Sequence, residues 1–237
     1  MNRIERVLKV LRREEVDHLP SQITFADRTK KSEIAKALGL GESDTSLDEY
    51  LENHLEFIFL KYDKPLFFRN NISLMQKLAE EGVVGLDEEN GIVYDVWGMG
   101  IRIGEEGFYC CYSPFKGDKE ANERAKRFLP PNFNLDLLDM ELEQAVEEFI
   151  PPDPMAKGNF EGLKEDLSLI KDDILAIPSG YLGIWERTLW MLGFEEALTY
   201  LALKPSVVQE MFAKITDYKI KVANELIKMG FKVCHHG

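Results

Sequence analysis

Residues 230–237 read Gly230-Phe-Lys-Val-Cys-His-His-Gly237, and this stretch decides the fold that the sequence predicts. It is typical of a buried strand, and it follows a long amphipathic helix predicted from Pro205 to Met229. The chain thus stops inside a repeating strand–helix pattern. Soluble domains, by contrast, usually end in a frayed polar tail. We expect the continuation of the domain, with much of its chemistry, to lie beyond Gly237.

The same strand–helix rhythm extends back towards the N-terminus. The predicted core strands cover residues 19–25, 65–69, 174–178 and 232–235. The helices predicted between them cover 30–38, 46–62, 73–81, 183–192 and 194–202. Strands alternating with helices predict an α/β fold with a parallel sheet. Because a closed (β/α)8 TIM barrel needs eight strands and about 250 residues, four strands predict a partial barrel, its N-terminal portion.

Residues 83–115 interrupt this rhythm. Short apolar runs lie there between closely spaced glycines, as in Gly91-Ile-Val-Tyr-Asp-Val-Trp-Gly98 and Gly100-Ile-Arg-Ile-Gly104. This pattern predicts a meander or a pair of β-hairpins. We therefore interpret residues 1–237 as a single, apparently truncated domain with a small β-hairpin insertion at 83–115.

Composition excludes several classes of function. The net charge of −13 argues against nucleic-acid binding, which needs clustered Lys and Arg. No run approaches the roughly 18 apolar residues of a membrane span, and the charged N-terminus lacks the apolar region of a signal peptide. Three cysteines form no disulfide-framework spacing, which predicts a cytoplasmic protein.

Several motifs in order resemble one known family. They are Asp17-His-Leu-Pro20, Asp95-Val-Trp-Gly98, Ile150-Pro-Pro-Asp-Pro154 and Gly180-Tyr-Leu-Gly-Ile-Trp-Glu-Arg-Thr-Leu-Trp-Met-Leu-Gly193, followed by Lys204-Pro205. Together they resemble the uroporphyrinogen decarboxylase-like family, which includes corrinoid-linked methyltransferases and is similar to cobalamin-independent methionine synthase. The Asp-x-Trp-Gly hairpin points to the methyltransferase-like branch. The resemblance covers essentially the whole chain but about two-thirds of a family member.

The resemblance implies transfer of a methyl group to or from a corrinoid protein or a thiol. In that branch a zinc ion activates the thiol through a His-x-Cys pair and a distant Cys. Those ligands are expected beyond Gly237, with no metal ligand within this chain, because Cys234-His235-His236 does not have the His-x-Cys order. The expected partners are a small-molecule substrate and possible association with a corrinoid-carrying protein, with no nucleic acid and no membrane.

Two alternatives stay open. The first is uroporphyrinogen decarboxylase, a lyase of tetrapyrrole biosynthesis. Three features argue against it. The arginine-rich segment that follows the first strand of the decarboxylases, and binds substrate carboxylates, is not kept as a pattern. Phe67-Phe-Arg-Asn-Asn71 stands where their catalytic Asp is expected, and Leu189 aligns with their active-site Tyr. The second is a non-catalytic half barrel, whose two unpaired strand edges favour a homo-oligomer or a second chain that completes the barrel.

The candidate substrate-binding residues come from one rule, since barrel active sites lie at the C-terminal ends of strands. The rule and the helix that follows the third strand select Asp27, Arg28, Arg69, Asn70, Tyr181, Glu186, Arg187, His235 and His236. Strand alternation sends neighbouring side chains to opposite faces, so His235 and His236 do not form a two-histidine metal site. No residue is assigned a catalytic role from the sequence.

Overall fold

The computed structural model describes residues 1–23, 30–40, 47, 50–104, 110–170, 172–180 and 182–235. These residues form two compact units. The first unit contains Met1–Ile58 and Gly162–Pro178, and the second contains Phe59–Glu161 and Ser179–Gly237. Among the helices of the described ranges, none combines the length and the apolar character needed to cross a membrane.

The first unit is built on a pair of parallel strands. Its elements are α1 Arg3–Leu11, α2 Lys30–Ala37, β1 Leu55–Phe59, α7 Leu163–Ser168 and β6 Leu175–Ser179. Strands β1 and β6 pair with each other, and every residue of β6 is buried. The Leu175 N–H donates to the His54 carbonyl at 3.0 Å, which continues the pairing to the start of β1.

Helix α1 is tied to its own unit by one buried arginine. The Asn2 side chain caps the helix by accepting from the Glu5 N–H at 2.7 Å. Arg6 donates to both oxygens of the Asp17 carboxylate, at 2.7 and 2.8 Å, and lies 2.9 Å from the His54 ring. The hydrogen bonds from Arg6 hold the pKa of Asp17 well below its usual range. This bidentate pair fixes the N-terminal helix against the chain that leads into β1.

The second unit combines a four-stranded antiparallel sheet with a group of helices. Its strands are β2 Gly85–Asp87, β3 Ile92–Tyr94, β4 Gly100–Arg102 and β5 Cys110–Tyr112, paired in that order. Its helices are α3 Lys64–Phe68, α4 Ile72–Glu80, α5 Lys119–Ala125, a 3₁₀ helix Leu135–Asp139, α6 Leu142–Glu148, α8 Ile184–Leu192, α9 Phe194–Leu203 and α10 Pro205–Lys228. The sheet confirms the strand meander that the glycine-rich segment predicts.

The long helix α10 supplies one wall of the core. Its buried side chains recur every three or four residues, as in an amphipathic helix. They are Val208, Met211, Ile215, Tyr218, Val222 and Leu226. This face packs against α8, α9 and α6. Tyr218 meets the buried Trp97 ring edge to face, with ring centroids 4.9 Å apart. The helix thus brings the Tyr218 phenol into the interior of the second unit.

The partial (β/α)8 barrel predicted from the sequence is wrong. The described residues contain one sheet of only two parallel strands and one sheet of four antiparallel strands. The strand predicted at 174–178 is confirmed, since β6 covers Leu175–Ser179. The strand predicted at 232–235 is reduced to a single parallel bridge between His235 and Ser179. A bridge of one residue pair does not extend a sheet.

Two other predicted strands also fail, for local reasons. Of the strand predicted at 19–25, residues 24 and 25 lie outside the described residues. Residues 19–23 are neither helix nor strand, and the Asn53 side-chain amide bonds the backbone of Ile23. The predicted strand 65–69 is helix α3, with Pro65 in the first turn, where its missing N–H costs nothing. Its Phe67 ring stacks on Phe59, with centroids 3.8 Å apart. Tertiary packing overrides the β-propensity of this phenylalanine pair.

The helix predicted over 46–62 ends early. Glu52 has a positive φ of 52°, the left-handed conformation that commonly terminates helices. The chain then enters β1 at Leu55. Strand β1 therefore begins ten positions before the strand predicted at Pro65, and Asp63 follows it closely.

Candidate functional site

A tight turn between β3 and β4 fixes a fully buried carboxylate. The Asp95 Oδ1 atom accepts the N–H groups of Trp97 at 2.9 Å and Met99 at 3.0 Å. The Gly98 N–H donates to the Asp95 carbonyl at 2.9 Å, and Gly98 has a φ of +82°, which favours glycine. The second oxygen, Asp95 Oδ2, is buried with no hydrogen-bond partner in the described part of the chain. This oxygen faces a cation.

The cation is Arg187 on α8, and two carboxylates share it. Arg187 Nη1 lies 3.5 Å from Asp95 Oδ2, and Arg187 Nη2 lies 3.6 Å from Asp63 Oδ1. The guanidinium also lies over the Trp97 ring, 4.4 Å from its centroid, in a cation–π contact. All three charged side chains are buried. We call Asp63, Asp95 and Arg187 the buried-arginine cluster.

Burial sets the protonation equilibria of this cluster. Desolvation raises the pKa of Asp63 to about 6, against the lowering effect of Arg187 and Lys219. Desolvation likewise raises the pKa of Asp95 to about 6, although Arg187 and the two turn N–H groups favour its ionised form. Two carboxyl groups that titrate near neutral pH beside one arginine are typical of proton-transfer sites.

Helix α10 adds a second cation and a phenol. Burial and the nearby Arg187 lower the pKa of Lys219 to about 8. Its ammonium lies 3.5 Å from the Gly180 carbonyl, the outer limit of a hydrogen bond. Burial raises the pKa of the Tyr218 phenol, so it stays protonated at neutral pH.

These side chains open onto a small pocket inside the second unit. Its volume is about 10 Å³, which is room for about one water molecule. It is lined by Leu60, Asp63, Gly180, Arg187, Ile215, Tyr218, Lys219 and Val222. Its polar lining therefore offers one carboxyl group, one guanidinium, one ammonium and one phenol to a ligand.

The structure brings few of the predicted site residues together. Arg187 lies at the centre of the cluster. Glu186 is exposed, and its negative charge favours the protonated form of Lys219 by raising the pKa of that residue. Arg69 donates to the Leu66 carbonyl of its own helix at 3.2 Å. Asn70 accepts the Gly104 N–H at 2.8 Å and so supports the end of β4. Neither Arg69 nor Asn70 lines the pocket.

The remaining predicted residues lie elsewhere. His235 is exposed, and its Nδ1 atom lies 3.0 Å from the buried Ser179 hydroxyl, beside their backbone bridge. Asp27, Arg28, Tyr181 and His236 lie outside the described residues.

Sequence reasoning missed three members of the site. Asp63 follows a strand that was predicted as part of a helix, so the rule for strand ends could not select it. Lys219 stands inside a long helix, where a lysine usually faces solvent. Asp95 belonged to a quoted motif, and the Asp-x-Trp-Gly turn was the signal that could have found it.

The described residues do not provide a zinc site. They contain no group of three or more His, Cys, Asp or Glu side chains that could hold a metal ion. Burial raises the pKa of the Cys110 thiol to about 12, so it is not the thiolate that zinc prefers. Arg187 already occupies the space between the two buried carboxylates with positive charge.

Comparisons with known proteins add no relative. No family model, no curated protein and no solved structure matches this chain. The resemblance to the uroporphyrinogen decarboxylase-like family therefore rests on its motifs, and the site rests on its own geometry.

Proposed function

We propose that this chain is a methyltransferase of the uroporphyrinogen decarboxylase-like kind and that its substrate binds at the buried-arginine cluster. One observation carries the proposal. Asp95 and Trp97 of the Asp-x-Trp-Gly turn both contact Arg187, which belongs to the segment 180–193. The two most informative motifs of the resemblance therefore meet at one buried guanidinium, although they are far apart in the sequence.

The position of Asp63 makes it the acidic group of this proposal. β1, Leu55–Phe59, ends shortly before Asp63, which stands at the start of α3. Asp63 lines the pocket and lies 3.6 Å from Arg187.

The residues of the pocket suit methyl transfer to a thiol. The sulfur forms its new bond to the methyl carbon while the bond from that carbon to the donor breaks, and the bonding pair stays with the donor. A corrinoid carried by a partner protein would supply the methyl group. The thiol proton goes to the Asp63 carboxylate, whose pKa of about 6 leaves it mostly ionised at pH 7. Arg187 and Lys219 line the pocket, and their positive charges stabilise negative charge there during this transfer.

A direct assay tests the proposal. The purified chain is incubated with free methylcobalamin and 2-mercaptoethanol at pH 7, and the methyl thioether is measured by mass spectrometry. We expect formation above the protein-free rate, reduced roughly 10²- to 10⁴-fold in Asp63→Asn, because the variant cannot accept the thiol proton. The matched control is Asp139→Asn, which removes an exposed aspartate paired with Lys126 and should leave the rate unchanged. A rate equal to the protein-free rate, or an unimpaired Asp63→Asn, contradicts the proposal.

The pocket speaks against the decarboxylase alternative. A uroporphyrinogen has four pyrrole rings and many carboxylates, whereas this pocket has a volume of about 10 Å³. That is room for about one water molecule. Replacing the thiol and methylcobalamin by uroporphyrinogen in the same experiment is expected to release no carbon dioxide.

Association without catalysis is a second candidate, favoured by α9. This helix exposes three large apolar side chains on one face, namely Phe194, Leu198 and Leu201. Exposed apolar faces of this kind often mark contacts between chains. We expect light scattering after size exclusion to detect an oligomer that the double variant Phe194→Ser, Leu201→Ser dissociates. A monomer for the unsubstituted chain removes this candidate.

A further inference from the structure

We propose that His54 is an acid-sensitive latch for the N-terminal helix: protonation of its imidazole ring breaks the hydrogen bond from Arg6 and releases α1 from the first unit. The inference goes beyond the proposed function, because it concerns the other unit of the chain and assumes no methyl transfer. The latch is a conformational device that responds to pH.

The latch depends on the direction of one buried hydrogen bond. Arg6 Nη1 lies 2.9 Å from His54 Nε2, and the two residues are only 6% and 2% exposed. A guanidinium can only donate hydrogen bonds, so Nε2 must accept and must carry no proton. The Ser21 N–H approaches the other ring nitrogen, Nδ1, at 3.3 Å. A ring protonated on both nitrogens would turn an N–H towards each of these donors and would accept neither bond.

The charges around the ring also oppose its protonation. Arg6 donates to Asp17 through Nε and Nη2, whereas Nη1 is the nitrogen that meets His54. Because Arg6 and Asp17 neutralise each other, a proton on the ring adds a positive charge 2.9 Å from a guanidinium nitrogen. The His18 ring lies on another side, edge to face, with centroids 5.8 Å apart. The carboxylates that act on the Arg6 guanidinium are those of Asp17, Glu52 and Glu5.

These surroundings set the protonation equilibrium of His54. Burial and then the positive charge of Arg6 lower the pKa of the ring below its ordinary value. The backbones of Glu52 and Ser21 favour the protonated ring, and their effect is smaller than that of burial and Arg6. The docked helix therefore keeps His54 neutral at pH 7.

Helix α1 is the element that moves away, because few contacts hold it. In α1, which lies wholly within the described ranges, two residues are buried, Arg6 and Val7. Arg3 adds an ion pair with the half-exposed Asp173 at 3.7 Å, and an exposed pair of this kind contributes little. The other side of His54 is held by the backbone, since its carbonyl accepts the Leu175 N–H at 3.0 Å where β6 begins. Release of α1 therefore separates the two charges without breaking the strand pair.

The sign of the pH dependence follows from proton linkage. In the released state the ring is hydrated and has an ordinary pKa of about 6.5, whereas in the docked state its pKa is lower. The released state thus binds the proton more readily, so docking is strongest above pH 6.5 and weakens as the pH falls below it. Asp17 acts outside this window, because its pKa in the docked state lies well below the usual range.

The experiment is hydrogen–deuterium exchange of the full chain at pH 7.5 and 5.5, with rates corrected for their intrinsic pH dependence. We expect the protection of the α1 amides to fall several-fold at pH 5.5, and at most about tenfold for one proton. The Ile177 amide in β6 should lose less protection. In His54→Gln the side chain can still accept from Arg6 but cannot be protonated, so the protection of α1 should not depend on pH. His18→Gln, at an exposed histidine beside Asp17, is the matched control and should keep the dependence.

An NMR titration of the His54 ring in the unsubstituted chain keeps the proposal testable if His54→Gln does not fold. A ring pKa of about 6.5 or higher overturns the latch. Equal protection of α1 at the two pH values, or an undiminished loss in His54→Gln, also overturns it. If α1 and β6 lose protection equally, the proton unfolds the whole unit and no latch exists. The methyl-transfer assay has no part in these readouts, so its failure would leave the latch unaffected.

Discussion

Replacing Arg187 by methionine is expected to lower the free energy of unfolding of the second unit by about 3–5 kcal/mol at pH 7.5, because it leaves two buried carboxylates without their shared cation. All three tryptophans, Trp97, Trp185 and Trp190, lie in this unit. Urea unfolding followed by tryptophan fluorescence therefore reports its stability.

The pH dependence distinguishes lost charge pairing from lost packing. Asp63 and Asp95 have folded-state pKa values near 6, above the ordinary value, so each makes the folded state less stable as pH rises through about 4 to 6. Without Arg187 the two pKa values rise further, and this loss extends to higher pH. The variant should therefore recover much of its stability between pH 7.5 and 5.5. An equal deficit at both pH values, or a deficit no greater than in Arg187→Lys, contradicts the shared-cation interpretation.

Replacing Gly98 by alanine is expected to lower the free energy of unfolding by about 3 kcal/mol or more. The same urea unfolding, followed by tryptophan fluorescence, measures this loss. Gly98 has a φ of +82°, which costs an L-residue about 1–2 kcal/mol. In addition, its methyl group would lie 2.7 Å from Cδ2 of the buried Phe133 ring, too close for carbon atoms.

Gly104 provides the matched control. It has nearly the same φ, +84°, but an added Cβ meets no atom within 4 Å. Gly104→Ala should therefore show the backbone cost alone, about 1–2 kcal/mol. If the two variants lose equal stability, the contact with Phe133 has no energetic role.

Local patterns in the sequence predict part of this fold. The glycine-bounded runs of residues 83–115 predict the antiparallel strands, and Pro205 with its apolar spacing predicts α10. These features depend on neighbouring residues. The barrel prediction fails because it depends on pairing between distant strands, which no local pattern specifies. One residue, Glu52 in a left-handed conformation, changes a predicted helix into the approach to β1.

The candidate site is predicted less completely than the fold. Arg187 is selected from its motif. Its partners, however, lie after a strand whose position was predicted wrongly, in a hairpin turn and in the middle of a helix. From the sequence alone, Lys219 on α10 is expected to face solvent. Only the packing of the neighbouring elements places it at the pocket. Burial converts ordinary aspartates into groups that titrate near neutral pH, and burial is a property of the fold as a whole.

The single cation shared by Asp63 and Asp95 also constrains how this protein can evolve. A substitution of Arg187 strands two negative charges, whereas a substitution of either aspartate leaves the arginine with one partner. One aspartate can therefore be replaced while the arginine keeps a partner. Replacing both would leave the arginine as an uncompensated buried charge, so we expect the arginine and its last aspartate to be replaced together.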